Sequence, residues 1–442
     1  MFAGLNTLAQ LKAGALQGCT RLDLSCGLTE FPREIFALAD SLKILNLSGN
    51  QLSSLPADLP RLRHLAVIFC SENCFTELPA VLGQCPSLTM IGFKSNQIAH
   101  IPADAFPQHL RWLILTDNQI TELPSSIGRC QQLEKLMLAG NRLSALPAAL
   151  AHCQQLALVR LAANQLTAFP ECLLQLPRLA WLAIGGNPFN AAFELNQIAD
   201  VVSVNAADVT LGRQIGAGAS GTIYQAQWHH AAPRAVAVKL FKGAVTSDGW
   251  PHTEMAVCGA AGEHPHLIGA LAQLNGHAAG LGLIMPLISA ELSVLAAPPS
   301  LGTCIADVYA SDLRLTWRAA LLLAHGIADA ARHLHQRGIL HGDLYAHNIL
   351  YHPDGRTYLG DFGAASFYPP DAAWAAALEQ IEIRAFGHLL AELLARIDWP
   401  DDHDDVRLDL LHWQKRCVDS ASATQTTFAD LQQGVWRILQ NN

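Results

Sequence analysis

Asparagines recur at Asn50, Asn73, Asn96, Asn118, Asn141, Asn164 and Asn187, a period of 22 to 23 residues, and nothing else in the chain constrains its fold as tightly. Ahead of each stands a common apolar frame, as in Leu42-Leu45-Leu47, Leu88-Ile91-Phe93, Leu110-Leu113-Leu115 and Leu133-Leu136-Leu138. An apolar residue follows two positions after the Asn (Leu52, Phe75, Ile98, Ile120), then a Leu-Pro or similar pair such as Leu55-Pro56, Leu78-Pro79 and Leu123-Pro124. Apolar alternation over so few positions predicts a short strand with one buried face. The Asn amide can bond free backbone groups of neighbouring coils, and the Pro starts the return leg. One such unit cannot bury its own apolar face, but stacked copies can.

The pattern L-x-x-L-x-L-x-x-N-x-L in successive copies resembles the leucine-rich repeat. About eight copies are legible, the first (Leu22, Leu24, Leu28) one residue short with Cys26 near the Asn place. The resemblance implies an α/β solenoid over residues 19–190 with strands on its concave side, after an N-terminal cap at 1–18. Residues 191–208 read as a linker or C-terminal cap. Cys19, Cys85, Cys130 and Cys153 each stand three residues before the first Leu of a copy, where Leu62 and Leu176 stand in others. They read as small interior hydrophobes rather than metal ligands. Outward strand positions carry Phe69, Trp112, Ile114 and Met137, apolar where solvent would otherwise be. Such a cluster points to a protein or peptide partner on the concave face, or to packing against the chain's own second half.

The second half carries motifs of a different kind. Gly216, Gly218 and Gly221 form G-x-G-x-x-G between two strand-like stretches at 211–215 and 222–228. That setting favours a hairpin over phosphates, where missing side chains let backbone N–H groups approach. Lys239 ends the apolar run Val236-Ala237-Val238, a poor place for a solvated charge, so it requires an anionic partner. Glu254, in a helix-compatible stretch at 252–260, is the natural one. Further on come His341-Gly342-Asp343 with Asn348, a turn at Asp354-Gly355, and Asp361-Phe362-Gly363, preceded by an amphipathic helix at 316–337.

Together these motifs resemble the protein kinase catalytic domain, from residue 209 to the end, an α+β bilobal fold with lobes at 209–288 and 289–442. The resemblance implies that Gly216, Gly218 and Gly221 cover the phosphates of ATP. Lys239, held by Glu254, contacts them, Asp343 orients the substrate hydroxyl, and Asn348 and Asp361 hold Mg²⁺. Ile215, Ile223, Ala237 and Leu350 would enclose adenine, with Met285 as gatekeeper and Pro286 to Ile288 as the hinge. Departures are equally specific. Gly342 replaces the Arg of H-R-D, Tyr345 stands where Ser/Thr kinases keep a Lys, and no A-P-E motif precedes Glu382. Gln425 stands where the Arg that pairs the A-P-E Glu is expected. Between Asp361 and Glu382 only Ser366 and Tyr368 carry hydroxyls, so loop phosphorylation is not expected to be the switch.

Composition narrows the class. Across 442 residues, 51% hydrophobic and 15% charged content excludes a disordered chain, and a net charge of −9 argues against a partner made of nucleic acid. No apolar run is long enough for a membrane span, no signal segment is evident, and eleven cysteines suit a reducing cytoplasm. The expectation is therefore a cytoplasmic ATP- and Mg²⁺-dependent protein kinase, Ser/Thr rather than Tyr, whose repeats recruit a protein partner or substrate. A nucleotide-binding pseudokinase scaffold and a small-molecule kinase remain open as alternatives.

Overall fold

The computed structural model describes residues 6–197, 202–218, 220–229, 232–243, 246, 248–400, 403–419 and 426–441. It divides after Arg178 into two compact units.

The first unit opens with helix α1 (Leu8–Lys12), capped by the reciprocal Thr7–Gln10 box. Seven strands follow at the expected places: β1 (Arg21–Asp23), β2 (Ile44–Asn46), β3 (Val67–Phe69), β4 (Met90–Gly92), β5 (Trp112–Ile114), β6 (Lys135–Met137) and β7 (Leu158–Arg160). They pair in parallel and in chain order. The middle residue of each, from Leu22 to Val159, is fully buried. The asparagine ladder explains the period. Asn118 Nδ2 donates to Phe93 O (2.9 Å) of the preceding coil and Leu115 O (3.1 Å) of its own, while its Oδ1 accepts from Ile98 N–H (3.0 Å). Asn50, Asn73, Asn96, Asn141 and Asn164 repeat this pattern. After Pro32, Pro79, Pro124, Pro147 and Pro170, each in extended conformation, the return leg tightens into a 3₁₀ turn.

Cys85, Cys130 and Cys153 are buried, their thiols pushed up to about 11, 11 and 12 by burial, whereas Cys19 is only half-buried. Among the described residues there is no cluster of metal-ligating side chains. Phe69, Trp112, Ile114 and Met137 are half-buried rather than exposed. Neighbours on the face shelter them: the Phe69 ring lies over Gly92, Trp112 Nε1 donates to Met137 Sδ (3.4 Å), and Lys135 Nζ sits 4.5 Å from the Trp112 ring.

The second unit begins earlier than residue 190. Strand β8 (Trp181–Ala183), the eighth repeat copy, belongs to it. The stretch expected as a linker or C-terminal cap forms the end of helix α2 (Pro188–Gln197) and strand β9 (Ser203–Asn205). Residues 1–5 of the expected cap and 198–201 of the expected linker lie outside the described residues, as does Gln425. Next come β10 (Val209–Ala217), β11 (Gly221–Trp228), β12 (Arg234–Phe241), α3 (Pro251–Ala261), β13 (Ala272–His277) and β14 (Gly280–Pro286). Their sheet runs β10-β11-β12-β14-β13-β9, so β9 pairs in parallel along the outer edge of β13. Val236, Val238, Leu240, Ala272, Leu274 and Ile284 fill the core on one side of this sheet.

The remainder holds β15 (Ser293–Val294), α4 (Trp317–His335), β16 (Ile339–Leu340), β17 (Ile349–Tyr351), β18 (Thr357–Leu359), β19 (Ser366–Phe367), α5 (Ala375–Leu394), α6 (Asp404–Val418) and α7 (Phe428–Asn441). Helix α4 starts where Thr316 caps Ala319 N–H and buries a continuous face from Ala319 to Leu334. No helix among the described residues is long and apolar enough to cross a membrane.

Candidate active site

Strand register assembles the first half of the site. Gly216 faces Ile223, Ile223 faces Lys239, and Ala237 faces Met285. Cross-strand partners share a face, as do residues two apart, so Gly216, Ile223, Lys239, Ala237 and Met285 look out on the side opposite the core. Gly221 is sterically required: a Cβ there would lie 2.6 Å from Leu240 O and 3.2 Å from Lys239 Cγ. Gly216 and Gly218 meet no such obstacle, and what they leave is an open hairpin face. Ala237 is buried, and Ile223, Met285, Pro286, Ile288 and Leu350 are half-buried. Ile215 is 44% exposed and forms no packed wall, because register shifts flank Gln214 in its strand.

Lys239 Nζ donates to Glu254 Oε1 at 2.5 Å and lies 3.5 Å from Asp361 Oδ1. Glu254 sits in the first turn of α3, after Pro251, where a carboxylate also suits the helix dipole. Burial alone would push the Lys239 ammonium down, but Asp361 and Glu254 outweigh it and hold it well above its ordinary range. Burial pushes the Glu254 carboxyl up to about 7 despite the lysine, so the glutamate depends on this cation to stay charged.

The loop that carries Asp343 and Asn348 leaves β16 through Gly342 and returns through a 3₁₀ turn into β17. Asn348 Nδ2 donates to Asp343 O (2.9 Å) and Oδ2 (2.8 Å), which fixes the Asp343 carboxylate. His341 is fully buried and donates from Nε2 to Gly360 O (3.0 Å), tying this loop to the segment carrying Asp361. Asp361 itself has φ +55°, an unusual backbone for a non-glycine residue and one that clusters at functional sites. Glu382 lies beneath, accepting from Gly342 N–H (2.7 Å), His341 N–H (3.3 Å) and His335 Nε2 (2.8 Å). Burial raises its carboxyl, but the His335 hydrogen bond and neighbouring charge prevail and hold it below the usual range. On the other side of the ring, His335 Nδ1 and the Tyr368 hydroxyl share a hydrogen bond of 2.7 Å.

Two site residues escaped the sequence reading. His347 donates from Nδ1 to the buried Asp307 (2.7 Å) and approaches Asp343 Oδ2 with Nε2 at 3.9 Å. His347 lies within the loop motif, yet nothing in the spacing announces Asp307 forty residues before it. The donor chemistry also fits a hard cation. Asp361 offers a carboxylate, and Asn348, whose N–H donors engage Asp343, offers an amide oxygen. That is the kind of set Mg²⁺ uses when phosphates supply further ligands.

Residues 209–383 match the family described as protein tyrosine and serine/threonine kinase, and residues 40–98, 86–143 and 108–166 match the leucine rich repeat. The chain is similar to serine/threonine-protein kinase KIN28 of Saccharomyces cerevisiae, 26% identical over 45% of this chain and 67% of the relative. It is also similar to human dual specificity testis-specific protein kinase 1, 27% identical over 31% of this chain and 29% of the relative. A rice protein named probable inactive leucine-rich repeat receptor kinase XIAO is 27% identical over 25% of this chain and 12% of its own. The chain spans less than a third of the length of several of the curated relatives it matches. It belongs with proteins that carry leucine-rich repeats, here over residues 40–166, followed by a protein kinase domain, here over residues 209–383.

Proposed function

We propose that the chain is an active ATP- and Mg²⁺-dependent protein kinase of the cytoplasm, transferring the γ-phosphate to a serine or threonine hydroxyl. A protein captured on the concave face of the repeats, around Phe69, Trp112, Ile114 and Met137, is its partner or substrate. One observation carries the reading: Lys239 bonds Glu254 while Asp361 lies on the same ammonium, the pairing that phosphoryl transfer requires. The hairpin of Gly216, Gly218 and Gly221, closed by the bond from Gly218 N–H to Gly221 O, covers the phosphates, and Lys239 neutralises them. Asp343, held by Asn348, orients the acceptor hydroxyl and takes its proton. Asn348 and Asp361 would hold Mg²⁺, which supplies neutralisation of charge on the phosphate oxygens. Ile223, Ala237, Met285 and Leu350 offer the apolar faces that a purine ring requires, beside the hinge at Pro286 and Ile288. Eleven cysteines with no disulfide among those described support a reducing compartment.

The test is transfer of labelled γ-phosphate by wild type and Asp343→Asn. Loss of a positioned base lowers turnover by about 100- to 10,000-fold, so the variant should fall at least that far while still binding ATP. Equal silence of both proteins with ATP bound would establish a nucleotide-binding scaffold instead. Transfer to small alcohols but to no protein would favour the small-molecule reading, which the short segment between Gly363 and α5 supports.

A further inference from the structure

The eighth repeat copy, residues 179–187, lies within the catalytic unit and grips the elements that must be ordered for transfer. The Trp181 ring stacks on Tyr345 of the catalytic loop, centroids 4.1 Å apart and planes within 6°. Its Nε1–H donates to Leu344 O at 3.1 Å, next to Asp343. Ser366 Oγ, fully buried, accepts from both Ile184 N–H (3.0 Å) and Gly185 N–H (2.9 Å). Asn190 Nδ2 donates to Phe367 O, and Arg384 Nε donates to Leu179 O (2.7 Å). Gly342 completes the fit. Its φ is +74°, and a Cβ there would lie 2.4 Å from Leu182 O and 2.8 Å from Ala364 O. The carbonyl of the coil therefore occupies the ground where a larger residue at 342 would start.

We propose that this coil, through Trp181 and the Ile184-Gly185 amides, is the positioning element that holds the catalytic loop and the 361–368 segment in their working arrangement. It does so in place of a phosphate on the segment. The two hydroxyls a phosphate could occupy are already engaged: Ser366 by the coil and Tyr368 by His335. The coil is in place while Lys239 is engaged with Glu254 and Asp361, and Asn348 with Asp343, so its docking coexists with both halves of the site being ordered. Trp181 touches no reacting atom; it acts through Tyr345 and Leu344. This inference rests on the kinase reading for its kinetic part only.

The experiment compares the full chain with Trp181→Ala, Trp181→Phe and Ser366→Ala. Trp181→Ala should lower kcat by about 100-fold, the scale on which misplacing a reacting group by an ångström acts, with KM for ATP within about twofold. Trp181→Phe keeps the stack and should recover most of that loss. Incubation with ATP should leave the 361–368 segment of wild type unphosphorylated, and Ser366→Ala should lower kcat with ATP affinity kept. Backbone hydrogen exchange supplies a readout independent of turnover: in Trp181→Ala it should quicken at 343–350 and 361–368 but not at 209–286. An unchanged or raised kcat in Trp181→Ala would overturn the proposal, as would exchange that quickens everywhere or nowhere. If wild type transfers no phosphate, the kinase reading has failed, and the exchange pattern alone still decides whether the coil holds the loop. Should Trp181→Ala not fold, Ser366→Ala carries the same comparison.

Discussion

The repeat unit and the catalytic unit both bury polar groups, but they satisfy them in opposite ways. In the repeats one solution is used again and again: an asparagine amide closes two carbonyls and an N–H on adjacent coils about 22 residues apart. In the catalytic unit each solution occurs once and joins distant segments, as when Glu382 gathers His335, His341 and Gly342, or Lys239 joins Glu254 to Asp361. Repetition spreads the cost of a lesion over neighbours, because stability in a solenoid is close to a sum over adjacent copies. A junction made once has no such neighbours, so its loss is felt by the whole site.

The sharpest way to break this contrast is Gly342→Arg, which restores the residue usual in H-R-D. Left-handed backbone strain together with overpacking against Leu182 O and Ala364 O should cost about 3 to 5 kcal/mol, read by denaturant unfolding. A variant as stable as wild type would mean that the junction is plastic. Next comes acid. Because the Glu382 carboxyl is held below its unfolded value of about 4.3, its stabilisation is full above that pH and is lost as pH falls through the lower folded value. Glu382→Gln should melt lower than wild type near neutrality and show a flatter melting curve against pH on the acid side. A parallel pair of curves would refute the assignment.

Within the repeats, Asn118→Ala strips the Ile98 N–H of its buried acceptor, while Phe93 O keeps its bond from Asn96, and should cost about 1 to 3 kcal/mol. The denaturation midpoint measures this, and the transition should begin in the first unit while phosphate transfer is retained. At the small end, Asp58→Asn removes the charge that pairs with the exposed Arg33 and Arg61 and should leave the melting midpoint unmoved, since solvent screens such pairs.

The same contrast explains what could be read from the amino acids. The ladder was legible because each copy restates one local rule, and the kinase motifs because their spacing is short: Asp343 to Asn348 lie on one loop, Asp361 to Gly363 on one turn. What escaped depends on partners far away in the chain. Whether residues 179–187 belong with the repeats or with the catalytic unit is decided by Leu344, Ser366 and Arg384, more than 160 residues later. The three residues of strand β9, Ser203–Asn205, carry no period of their own, and only the edge of β13 makes them a strand. Phe69 and Trp112 were expected to be exposed; alternation gives the side a residue faces, but not the neighbour that covers it, here Gly92 and Lys135.

The asparagine ladder has a consequence for how the protein ages. Each ladder amide aims its NH₂ group at carbonyl oxygens, so the pattern reads the sign of a dipole and not merely a shape. Deamidation of Asn118 would exchange one nitrogen for one oxygen with almost no change in volume. It would nonetheless set an anion against Phe93 O and Leu115 O inside a sealed coil. For this solenoid the near-isosteric lesion is the harmful one, and chemical wear should show first as coils that part along the asparagine edge while their leucines still match.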